Sequence, residues 1–133
     1  MQKIRLLEIA PLEQPRLIEV EHTLENLQEL VGGTVQVVYP WEDYVAVLCD
    51  DDGKGKGYPA NRIIEDEDGN PYDIIVGTFY ISGLSQKSLL SIPDDLAAKY
   101  TEKFRYPEMF MRTENGHVVM FRLGSGEKPR AIC

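Results

Sequence analysis

Short apolar runs separated by clusters of turn residues dominate this chain, most clearly between Thr23 and Gly83. Lys3–Ile9 alternates apolar and charged positions and reads as a strand. Pro11 and Pro15 bracket a turn before a second strand over Arg16–Glu21, its natural hairpin partner. Leu24, Leu27, Leu30 and Val31 then fall at helical spacing. Thr23 stands where an N-cap belongs, Glu25 suits the positive end of the dipole, and Gly32 is a natural C-cap. This helix has about two and a half turns, too few to stand alone, so it must pack on a sheet.

Thr34–Tyr39 and Tyr44–Asp50 are rich in β-branched residues and read as strands joined by Pro40–Asp43. Asp51-Asp52-Gly53-Lys54 is a turn, and Lys54–Tyr58 reads as a short returning edge strand. Pro59–Arg62 is expected to be irregular, because Pro59 supplies no backbone donor. After the acidic loop Glu65–Pro71, Ile74–Ser82 gives the strongest strand signal, with Gly77 inside it as a bulge or a close backbone approach. Ser91 is placed to cap a second helix, with Pro93 in its first turn and Leu96, Tyr100 and Phe104 on one face. Glu108–Thr113 and His117–Leu123 form a hairpin around Asn115-Gly116. A two-residue turn there would set Phe110 opposite Phe121 and Met111 opposite Met120.

The expected fold is therefore α+β: a mainly antiparallel, barrel-like sheet with two short helices and an appended C-terminal β-hairpin. Residues 1–123 form one domain, with a core over 1–104, the hairpin over 105–123 and a flexible tail over 124–133. At 133 residues the chain is long enough to bury a core without disulfides. Cys49 lies in an apolar run and Cys133 is the last residue, so no disulfide framework is expected. No apolar run approaches the ~20 residues of a membrane span, and the first residues lack a signal-peptide pattern. The expected location is cytoplasmic. Of the net charge of −8, residues 1–98 hold 7 Lys/Arg against 18 Asp/Glu, and residues 99–133 hold 7 against 4. An acidic body repels nucleic acid and favours solubility; it reads as a solvated surface or, more sharply, as a polyanion mimic or a face that steers toward a basic partner.

Few patterns carry chemistry. The acidic loops lack the ligand order of a calcium loop, because Lys54 and Asn61 occupy oxygen-ligand positions, and two His and two Cys form no zinc cluster. Gly53-Lys54-Gly55-Lys56-Gly57 offers amides and lysines to an anion but lacks the ending of a P-loop. His22 and His117 stand beside no recognisable nucleophile. No catalytic residue, metal or cofactor is expected. Two signatures remain as a ligand-binding set. Tyr58-Pro-Ala-Asn61-Arg62 places an amide beside a guanidinium, fit either to read a ligand or to satisfy orphan backbone carbonyls. Gly77 and Thr78 put a small residue and a hydroxyl in a buried strand, either for a ligand or as a bulge of the core, and Trp41, with Tyr39, Tyr44 and Tyr58, offers an aromatic rim or closes the core edge.

NLQELVGGTVQVVYP (26–40), DDGK (51–54), YPANR (58–62), YDIIVGTFYISG (72–83) and SIPDDLAAKYTEKF (91–104) together resemble a domain family of unknown function. That family occurs in phages, plasmids and conjugative elements, largely of Gram-positive gut bacteria. The resemblance covers roughly residues 1–104, leaves the hairpin outside, and brings no catalytic or ligand residues with it. It implies the company of mobile elements, where countering host immunity is a common occupation. With the residue reading, the expectation is a non-enzymatic binding protein that counters host defence, either by binding a defence protein or by sequestering a signalling nucleotide near Asn61, Arg62 and Thr78. The alternatives are a small-molecule- or peptide-binding module outside immunity, and a weak hydrolase. Exposed sheet edges are also compatible with a homo-oligomer.

Overall fold

The structure is a computed structural model and describes residues 2–132. β1 (Lys3–Ile9) and β2 (Arg16–Glu21) form the expected hairpin. In α1 (Leu24–Val31) the Thr23 hydroxyl accepts from the Asn26 amide at 3.1 Å, and Gly32 closes the helix at φ +89°. β3 (Val35–Val38) and β4 (Val45–Asp50) pair next. β5 (Ala60–Glu65) and β6 (Pro71–Val76) make a separate two-stranded ribbon, whereas β7 (Phe79–Leu84) returns to the main sheet, where β8 (Leu89–Leu90) joins it. α2 (Asp94–Lys103) leads to a third sheet, built from β9 (Glu108–Arg112), β10 (Val118–Arg122) and β11 (Arg130–Ala131) in the order β11-β10-β9.

Every strand pairing among the described residues is antiparallel. The main sheet runs β2-β1-β7-β4-β3, and its end strands do not pair with each other. It is an open sheet, and no closed barrel forms among the described residues. No helix among the described residues is long and apolar enough to cross a membrane.

Both faces of the sheet centre are buried, so β4 and β7 are buried at nearly every position instead of alternating. Ile4, Leu6, Leu48 and Tyr80 face α1 through Leu27 and Val31. Leu7, Ile9, Val45, Val47, Phe79 and Ile81 face the opposite core. α2 closes that core with Ala97 and Tyr100, the ribbon with Ile64 and Ile75, and the β3–β4 connection with Trp41. Neighbours Leu6 and Leu7 thus lie in different layers, as strand alternation requires.

Several local expectations change. Ile74–Ser82 is two strands in two sheets, because Gly77 takes φ +72° and turns the chain from ribbon to sheet. Lys54–Tyr58 forms turns, and the strand begins after Pro59, whose missing donor leaves no gap in the ladder there. Ser91 does not cap α2: its Oγ accepts from the Arg5 amide at 2.8 Å, and Pro93 is the N-cap. Thr113 donates its amide to the His117 carbonyl at 2.8 Å and Gly116 takes φ +84°, giving a three-residue turn. The hairpin register therefore shifts by one, with Phe110 facing Met120 and Met109 facing Phe121. Residues expected to form a tail instead add a strand, Arg130–Ala131, while Cys133 lies outside the described residues.

An ionic latch joins the third sheet to the ribbon. Buried Glu108 accepts from the Ile63 amide at 2.7 Å and from Arg122 Nε at 3.0 Å. Arg122 Nη2 reaches Glu65 at 2.7 Å, and Arg130 reaches the other oxygen of Glu65 at 3.0 Å. Burial raises the Glu108 pKa, opposed by the Ile63 amide and Arg122. Glu108→Ala leaves that amide without a partner and is expected to destabilise the fold by about 2–3 kcal/mol in urea unfolding.

Candidate functional site

A β-bulge controls what the YPANR segment does. Ala60 pairs with Val76 and Arg62 with Ile75, so Asn61 is the extra residue and has no ladder partner. Its side chain turns inward. Asn61 Nδ2 donates to the Ile9 and Gly77 carbonyls, both at 2.8 Å, while Oδ1 accepts from Arg62 Nη1 at 2.8 Å. Arg62 Nη2 donates to the Glu13 carbonyl at 2.7 Å and to the Phe104 carbonyl at 3.1 Å. Both residues are 0 % exposed, and Nε of Arg62 is left without a partner. Burial pulls the Arg62 pKa down, while the charge of Glu108 pushes it up. Of the two roles open to this pair, the hydrogen bonds are those of backbone satisfaction.

Three of the sequence-predicted residues do meet. Tyr58, Gly77 and Thr78 line an open hollow of about 280 Å³ at the C-terminal end of α1, with Pro11, Val31 and Gly32. Gly77 has to be glycine: beyond its positive φ, a Cβ there would sit 2.6 Å from Tyr58 Cδ2. Asp50 and Lys56 brace the same corner, with Lys56 Nζ 2.7 Å from Asp50 and 2.9 Å from the Gly32 carbonyl. The Lys56 hydrogen bond, then the Asp52 amide, holds the Asp50 carboxyl below its ordinary value. Lys54 is paired likewise, 2.8 Å from Asp73. The glycine-lysine turn therefore has its charges answered by carboxylates.

Trp41 stands apart from this hollow. It is buried in the large core, its Nε1 donating to the Glu65 carbonyl at 3.0 Å and its ring 4.7 Å from that of Tyr100. Tyr39 and Tyr44 are exposed, so no rim of four aromatics surrounds the hollow. Cys49 is buried, with its thiol pushed up to about 11, chiefly by that burial, and it is a poor nucleophile at neutral pH. Among the described residues no group of three or more His, Cys, Asp or Glu is placed to hold a metal.

Sequence reasoning did not find the Glu65–Arg122–Glu108–Arg130 latch or the outward side of the third sheet. The alternation Glu108, Met109, Phe110, Met111 was the available signal, since it marks two faces of unlike character.

The family described as Domain of unknown function (DUF3846) matches residues 4–105. The chain belongs to that family. The DUF3846 portion holds the main sheet, the ribbon and both helices, and the third sheet lies beyond it. No curated protein and no solved structure matches the chain.

Two predictions follow from the corner and the bulge. Asn61→Leu removes both donors from the Ile9 and Gly77 carbonyls and is expected to cost about 2–4 kcal/mol in chemical denaturation. The second concerns acid. Asp50 has its folded pKa below its ordinary 3.8, so its contribution is complete well above that value and is lost as pH falls through the folded one. Asp50→Asn is expected to be less stable at neutral pH, with a flatter loss of unfolding midpoint between about pH 5 and 2.

Proposed function

We propose that this chain is a non-catalytic binding protein of a phage or other mobile element, which counters host defence by occluding a defence protein. The observation that carries this reading is the outward face of the third sheet. Met109 and Met111 alternate away from Glu108 and Phe110, and the register sets Met109 beside Phe121 and Met111 beside Val119. Ala131 continues the row beside Val119. None of the five is charged, and Met109 and Met111 are 42 % and 53 % exposed.

Adaptable methionines around an aromatic ring suit a protein contact better than a small solute. The acidic residues 1–98 supply a field that draws a basic partner, and the apolar face then holds it. Nucleotide sequestration has less support, because Asn61 and Arg62 are buried and Lys54 and Lys56 are paired. The mobile-element setting rests on the family resemblance alone.

Expressed in a host whose defence restricts a phage, the chain is expected to restore plaque formation. Met109→Glu with Met111→Glu is expected to abolish that effect without changing the unfolding midpoint. Calorimetric titration with cyclic and linear nucleotides is expected to give no binding heat. Tight nucleotide binding, full activity of the double variant, or a wild-type dimer broken by the variant each overturns the reading.

A further inference from the structure

A groove of about 370 Å³ runs where the third sheet meets the ribbon, with Met111 of the outward face at its rim. Ala60, Ile74 and Val76 of the ribbon form one wall, and Phe110 and Val118 of the hairpin form the other. At one point of the lining, Lys54 and Asp73 neutralise each other at 2.8 Å. Arg112 also lines the groove, and it has no hydrogen bond or ion pair among the described residues.

That isolation is informative in a chain with 22 acidic residues. The other surface arginines each reach a carboxylate: Arg5 with Asp94, Arg16 with Glu8, Arg105 with Glu102, Arg122 with Glu108, and Arg130 with Glu65. Arg112 alone among them offers a free fork, and it does so beside apolar walls.

We infer that this groove binds a small apolar carboxylic acid, its hydrocarbon body against Ile74, Val76, Phe110 and Val118 and its carboxylate on Arg112. The volume falls at the small end of the range for ligand sites, about 300–1,000 Å³, which suits a single small molecule rather than a polymer. A guanidinium binds a carboxylate bidentately, so one arginine supplies orientation as well as charge. A polyphosphate fits poorly, because it carries several charges past one free cation, and Asp73 and the Asp51-Asp52 turn stand nearby in sequence or lining. The inference concerns the groove and does not depend on a protein partner at the outer face, although the two share Met111.

The test uses the full chain with methionine methyls labelled for NMR, titrated below the micellar range with dodecanoate, 1-dodecanol and AMP. Dodecanoate is expected to shift the Met111 methyl and to bind at least tenfold more tightly than dodecanol, with AMP giving no shift. Arg112→Gln, at an exposed position, is expected to keep the fold and bring the two chain-length-matched ligands to equal affinity. Equal affinity in the wild type, a tighter grip on AMP, no shift with dodecanoate, or a shift confined to Met109 overturns the inference.

Discussion

Two adjacent side chains, Asn61 and Arg62, fix how the separate pieces of this fold meet. Asn61 ties the end of β1 to the junction between ribbon and sheet, and Arg62 ties the turn after β1 to the carbonyl of Phe104, the C-cap of α2. The buried guanidinium touches no carboxylate among the described residues. Its charge is answered by carbonyl dipoles, one of them at the negative end of a helix, with Glu108 acting at longer range. A buried polar group satisfied this way is costly to misplace, so it selects one arrangement of the apolar layers around it.

The same logic explains the glycine pair after α1. A Cβ on Gly33 would lie 2.5 Å from Lys56 Nζ and 3.0 Å from Asp50. The helix end, the acidic turn and Tyr58 therefore share one crowded corner. Segments far apart in the family-like pattern turn out to be the two sides of single contacts. Their spacing records packing before it records any chemistry.

Local codes were legible in the sequence, and long-range ones were not. Thr23, Gly32 and the first hairpin act through neighbours within a few residues, so they could be read directly. Asn61 and Arg62 looked like a ligand pair because their acceptors lie 52, 49 and 42 residues away in Ile9, Glu13 and Phe104. The run Ile74–Ser82 looked continuous because both halves are apolar, although a positive φ at Gly77 sends them to different sheets. The hairpin register moved by one because Asn115-Gly116 suits a three-residue turn as well as a two-residue one. Of the candidate set, Tyr58, Gly77 and Thr78 line one hollow, while Trp41 belongs to the core.

Gly77 also governs how the molecule opens. Its amide donates to the Pro59 carbonyl at 2.8 Å and its carbonyl accepts from Asn61, so both polar groups of one residue are held by the start of β5, the ribbon's other strand. Ribbon and main sheet share no ladder, yet neither can peel away while that residue stays bonded. The two sheets are therefore expected to open as one cooperative unit, with the Gly77 amide exchanging its hydrogen at the pace of the core rather than of a surface loop.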